Sequence, residues 1–147
     1  MRSIRGARRI SVWRAACGAI ACFACLGWHA DAQDNPIGLY TEAQAARGEG
    51  IYEQYCAACH GVRLEGNPAA PLTGAQFRSR WEDGRHTLDD LYFIIRSLMP
   101  NNAPGSLSKA QYADVVAYLL KVNGYPAGAA ELVPNAAAMK AVTLQPR

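Results

Sequence analysis

The sequence contains no apolar run long enough to span a bilayer comfortably. It has no stretch of alternating apolar and polar residues, no internal repeat and no sign of a second domain. Beyond residue 32 there is no second CxxC pair, the chain has no HxxxH, and only three histidines occur in 147 residues. These absences argue against a membrane bundle, a sheet protein, a repeat array, and a zinc site with ordinary ligand spacing.

What is present begins with a leader. "MRSIRGARR" is basic, an apolar run over 15–27 follows, and Ala30-Asp31-Ala32 precedes Gln33. A charged segment, a short apolar segment and an A-x-A site make a secretory signal peptide, with cleavage expected after Ala32. Arg14 and the brevity of the run weigh against an uncleaved anchor. Cys22 after "AIA" fits a lipidation site poorly, and Arg8-Arg9 matches a twin-arginine signal only loosely.

Removing residues 1–32 leaves 115 residues. Five of the fifteen basic residues and one of the twelve acidic ones go with the leader, leaving ten and eleven, a formal net charge of −1. The basic balance of the whole chain is therefore mostly a property of the leader and is no argument for nucleic-acid binding. Cys17, Cys22 and Cys25 leave as well, so only Cys56 and Cys59 remain. In an oxidising compartment an idle CxxC tends to close into a disulfide, so the pair needs a use.

The remaining chain reads as all-α: a lead-in over 33–40, a helical domain over 41–125 and a tail over 126–147. Thr41-x-x-Gln44 fits a capping box, and Gly48, Ile51, Tyr52 and Tyr55 give the first helix one face. Residues 61–74 are loop, a short helix is expected over 75–81, and Thr87 caps the next helix with Asp89 and Asp90 in its first turn. Leu88, Leu91, Ile94, Ile95 and Leu98 form its apolar stripe, which Pro100 ends. Ser108-x-x-Gln111 caps the last strong helix, which lines up Tyr112, Val115, Val116, Leu119 and Leu120 and stops at Gly124. The alanine-rich tail is expected either to carry one short helix over 136–142 or to drape over the surface. Short helices joined by long loops bury a thin core, and a large apolar cofactor would supply the missing interior.

"QYCAACHG" offers three chemistries. Zinc wants four ligands, but Cys56, Cys59 and His60 are three, and neighbours Cys59 and His60 cannot easily both point at one tetrahedral ion. A dithiol oxidoreductase wants the pair opening a helix after a strand, and here it closes a helix with no strands expected. Haem attachment fits C-x-x-C-H: two thiols three apart can add to the two vinyl groups on one porphyrin edge, and the following imidazole can reach the iron.

On these residues the chain resembles the class I c-type cytochromes from about 43 to 123, small all-α folds wrapped round one covalently bound haem c. Gly48 and Tyr52 before "CAACH" match the family's N-terminal helix, where a glycine lets the C-terminal helix cross closely, and Tyr118 in "DVVAYLL" matches the aromatic partner. The resemblance implies His60 and Met99 as axial iron ligands, Met99 lying 39 residues on and just before Pro100. His86 is the competing ligand, in a turn that also suits a solvated histidine, and Met139 reads as packing. Pro71 resembles the family proline whose carbonyl accepts the imidazole's other N–H, and Leu72 would pack on the haem face. Trp81, with Arg78, Arg80 and Arg85, could meet the propionates.

Iron held by histidine and methionine has no open position, which implies a one-electron carrier in the periplasm. "RSLMPNNAPGSLSKAQYADVVAYLLKVNGYPAG" resembles the cytochromes that accompany quinoprotein dehydrogenases. That likeness implies redox protein partners: a periplasmic dehydrogenase as donor and an oxidase or another cytochrome as acceptor. The alternatives are a bound subunit of such a dehydrogenase, or a haem enzyme or gas sensor should Met99 leave the iron open.

Overall fold

The computed structural model describes residues 38–146. The expected signal peptide, and the lead-in up to residue 37, lie outside the described residues. Six helices follow: α1 (Glu42–Tyr55), α2 (Ala57–His60), α3 (Gly74–Trp81), α4 (Leu88–Leu98), α5 (Lys109–Val122) and α6 (Ala136–Lys140). Among the described residues there is no strand, only an isolated antiparallel bridge between Thr87 and Thr143. None of their helices is long and apolar enough to cross a membrane. The all-α class expected from periodicity is the class observed.

Local chemistry sets the helix ends. Thr87 accepts from the Asp90 N–H while Asp90 accepts from the Thr87 N–H, and Ser108 and Gln111 do the same for α5. At α1 only half of the expected box forms. The Thr41 hydroxyl accepts from the Gln44 N–H, but the Gln44 side chain is committed elsewhere, donating to the Leu132 carbonyl (2.9 Å) and accepting from its N–H (2.7 Å). Those bonds satisfy a side chain that is only 2% exposed, which a cap position open to solvent would not require.

α1 packs across α5. The contact is close because Gly48 has no side chain: a Cβ there would lie 1.9 Å from the Asp114 carbonyl oxygen. α5 is buried from Tyr112 to Leu120, and its one charge in that stretch, Asp114, takes the Arg47 guanidinium by two bonds of 3.1 and 3.0 Å. Arg47 also reaches Glu131 at 2.8 Å, joining α1, α5 and the tail.

The apolar interior has two parts. The larger holds Phe77, Trp81, Leu88, Leu91, Tyr92, Val116 and Leu120, with Met139 and Leu144 from the tail. The smaller holds Tyr52, Leu64, Val115, Tyr118 and Leu119, with Ile51, Cys56, Ala57, Leu72 and Ile95 packed against it. Ile95 belongs to the edge of both, whereas Leu98 at the end of the predicted stripe is 55% exposed because the packing stops one turn earlier. The tail forms the short helix α6 and is built into the core. Met139 is buried, the Leu88 N–H donates to the Val142 carbonyl, and the Gly128 N–H donates to the Tyr40 carbonyl.

Candidate functional site

The CxxCH motif occupies the junction of α1 and α2. Cys56 ends α1 and starts α2, and its N–H closes the last turn of α1 on the Tyr52 carbonyl (2.8 Å). The one-turn α2 then carries Cys59 and His60, and Gly61 stops it at φ +83, a conformation that suits glycine. Tyr52, fully buried on α1, donates its hydroxyl to the Gly61 carbonyl at 2.6 Å and so pins the motif's exit to the helix before it. Its ring meets that of Tyr118 at 5.4 Å, as the resemblance implies.

His60 is 9% exposed, and its Nδ1 lies 2.7 Å from the Ala70 carbonyl oxygen. A carbonyl can only accept, so Nδ1 carries the proton and Nε2 is left with its lone pair free for a metal. The expected second partner thus exists, but it is the carbonyl of Ala70 and not that of Pro71. Proline holds the residue before it in extended backbone, and this aims the Ala70 carbonyl at the ring. Two residues on, the Leu72 N–H donates to the Leu64 carbonyl, and the Asn123 amide donates to the Leu72 carbonyl at 2.9 Å. The loop that orients His60 is therefore stitched to the C-terminal end of α5. Leu72 packs in the smaller cluster beside Cys56 and Ala57.

Met99 caps α4. Its N–H closes the helix on the Ile95 carbonyl at 3.0 Å, and its own backbone is extended (φ −121, ψ 154). Ile95, one turn earlier, packs in the cluster that holds Cys56, so the end of α4 and the motif share one apolar surface.

Trp81 is placed differently from these residues. It is buried in the larger cluster, its ring edge-on to His86 at 5.5 Å with the Arg80 guanidinium 5.2 Å over it. Arg85 pairs with Asp83 (3.3 Å) and Arg78 is exposed. His86, the competing ligand, holds its Nδ1 2.9 Å from Asp83. The Asp83 carboxylate accepts from the His86 and Arg85 N–H groups, which hold it well below the usual carboxylate range.

These features also test the rival chemistries. Burial pushes the Cys56 thiol up to about 11, with Cys59 adding to the shift, whereas a dithiol oxidoreductase needs a lowered thiol. Among the described residues no three His, Cys, Asp or Glu side chains are grouped to hold a metal ion. The residues do fit a haem: two free thiols, an imidazole oriented by its far nitrogen, and an apolar lining. Sequence reasoning missed Ala70, Asn123 and the hydroxyl of Tyr112, which donates to the Met99 carbonyl. The "APLTG" proline and the polar Asn123 after an apolar helix were the available signals; Tyr112 read only as core.

Comparison with known proteins bears on the same residues. The chain is 35% identical over 80 residues to a thiosulfate dehydrogenase of Stutzerimonas stutzeri (strain A1501), a match covering 50% of this chain. It spans about a quarter of that relative's length (26%). No solved structure matches it. Residues 43–119 match the family described as cytochrome C oxidase, cbb3-type, subunit III, a stretch that contains the CxxCH motif, the Ala70 loop and Met99. The chain belongs to that family of c-type cytochromes, and its cofactor is covalently bound haem c.

Proposed function

We propose that the protein is a monohaem one-electron carrier of the periplasm, exported by cleavage near Ala32. It would take electrons from a dehydrogenase, with a quinoprotein as the donor class, and pass them to an oxidase or another cytochrome. Haem c, when bound, supplies the Fe(III)/Fe(II) couple. Cys56 and Cys59 would tether it through their thiols, and His60 Nε2 and Met99 Sδ would ligate the iron. Pro71 and Leu72 would line it, and Trp81 with its arginines would serve the propionates. The observation that carries this reading is the His60–Ala70 bond, which fixes the imidazole and raises its basicity toward a metal. With two protein ligands on the iron, no position would be left for a substrate. The apolar cluster of Tyr52, Leu64, Leu72, Ile95 and Leu119 beside the motif would keep water from the ring and so limit reorganisation on electron transfer.

The test is the mass and the reduced-minus-oxidised spectrum of the protein purified from the periplasm. A single haem retained after acid–acetone extraction, on a chain beginning near Gln33, is the expected result. Extractable haem, or a chain still carrying residues 1–32, would overturn it.

A second reading has one supporting observation, the partial match to a thiosulfate dehydrogenase. Here the chain is the cytochrome subunit of a larger dehydrogenase. Size exclusion of native periplasm with haem staining separates the two: a carrier elutes alone and a subunit elutes with its enzyme.

A further inference from the structure

We propose that Tyr112 is the positioning residue that keeps Met99 on the iron. The proposal rests on the reading of Met99 as an axial ligand given above. Tyr112 stands in the first turn of α5 and is 1% exposed. Its hydroxyl donates to the Met99 carbonyl at 2.6 Å, the short end of the range for O–H···O bonds. The same oxygen accepts the Leu107 N–H at 3.4 Å. One buried hydroxyl therefore ties together the two ends of the loop over 99–107.

That loop has little else to hold its middle. Every residue from 101 to 106 is exposed, and its other backbone bonds (Ala103 to Pro100, Ser106 to Ala103, and Gly105 to Met99) are internal to it. Pro100 is buried and Leu107 packs on the larger cluster, so the loop is anchored at its ends. At Met99 the N–H is committed to Ile95 and the carbonyl to Tyr112, so both peptide groups of the residue are fixed before its side chain is placed. A thioether is a weak neutral ligand, and its hold on a metal depends on the backbone not drifting away. Tyr52 does the equivalent beside His60, donating to the carbonyl of Gly61, the next residue.

Tyr112→Phe removes the hydroxyl and keeps the ring that fills the core. In the ferric holoprotein, imidazole competing for the methionine position should bind roughly three- to tenfold more tightly than in the wild type, the range set by loss of one buried hydrogen bond. The far-red absorption band of methionine-ligated ferric haem should weaken. Amide exchange at Leu107 should quicken by a similar factor, a readout that does not involve the iron. Tyr92→Phe is the control: it removes a hydroxyl bonded to the Lys109 carbonyl (3.2 Å) on the same helix pair and should change none of these. Met99→Ala separates the two layers of the argument. If it abolishes the far-red band while Tyr112→Phe leaves imidazole affinity at the wild-type value, the positioning role is wrong and the ligand assignment stands. If Met99→Ala leaves the band intact, the ligand assignment fails and the positioning role fails with it.

Discussion

Two glycines on one helix should answer the same substitution with opposite signs. Gly48 and Gly50 both lie in the interior of α1, where glycine costs about 1 kcal/mol relative to alanine. Helix propensity alone would make Gly48→Ala and Gly50→Ala equally stabilising. At Gly50 nothing lies within 4 Å of the added Cβ, so the gain should be realised, about 1 kcal/mol or a rise in Tm of about 4–8 °C. At Gly48 the Cβ would sit 1.9 Å from the Asp114 oxygen, 2.5 Å from its carbonyl carbon and 3.0 Å from Tyr118 Cβ. Ordinary contact begins at 3.4 Å, so the helices must part by about 1.5 Å, and the obstacle is backbone that cannot rotate away. α5 is buried along Tyr112 to Leu120, so the shift loosens its packing over more than two turns. Overpacking of this kind costs about 3 kcal/mol or more, which outweighs the propensity gain and leaves a net loss of about 2–3 kcal/mol. Thermal unfolding of the two holoprotein variants, followed by far-UV circular dichroism, should separate their midpoints by more than 10 °C, about the size these energies imply for a domain of this length. A Gly48→Ala protein as stable as Gly50→Ala would refute the close crossing.

Three further outcomes follow from particular contacts. Replacing Gln44 by Ala leaves the Leu132 N–H and carbonyl without their partner, costing about 1–3 kcal/mol, and amide exchange around Leu132 should accelerate while that of α4 is unchanged. Asp83 has a folded pKa below its unfolded value, so its contribution is complete above about pH 4 and is lost as the pH falls beneath the ordinary carboxylate range. In urea unfolding, the stability gap between wild type and Asp83→Asn should accordingly hold from pH 7 to 5 and narrow progressively as the pH falls below 4; a gap as wide at pH 2 as at pH 7 would contradict this. Asn123→Ala cuts the bond to the Leu72 carbonyl and should lower the midpoint potential or shift the haem absorption slightly, while Lys121→Ala, next to it but on the surface, should do neither.

The helices were legible because their signals are local. Ser108 and Gln111 lie three residues apart and form the expected box, and Thr87, expected as an N-cap with Asp90 in the first turn, forms one with Asp90 as well. Gly48 was legible because a glycine in a helix before CxxCH has few other uses. What escaped depends on where distant chain lands. Gln44 reads as a capping residue until Leu132, 88 positions away, arrives beside it. The "APLTG" loop announces a proline near the imidazole, yet which carbonyl faces the ring depends on backbone direction, and that carbonyl is Ala70's. The tail's alanines conceal the burial of Leu144, whereas Met139 packs as read. Tyr112 sits on a stripe that its ring alone explains, and only the position of the 99–107 loop gives its hydroxyl a task.

The central claim is that His60 and Met99 close both faces of the iron. It is tested most directly by the far-red absorption and midpoint potential of the ferric protein, wild type against Met99→Ala. The account predicts a far-red band in the wild type, its loss in the variant, a fall in potential, and an opened position that binds added imidazole. An unchanged spectrum and potential would contradict it and leave the second axial position to another residue.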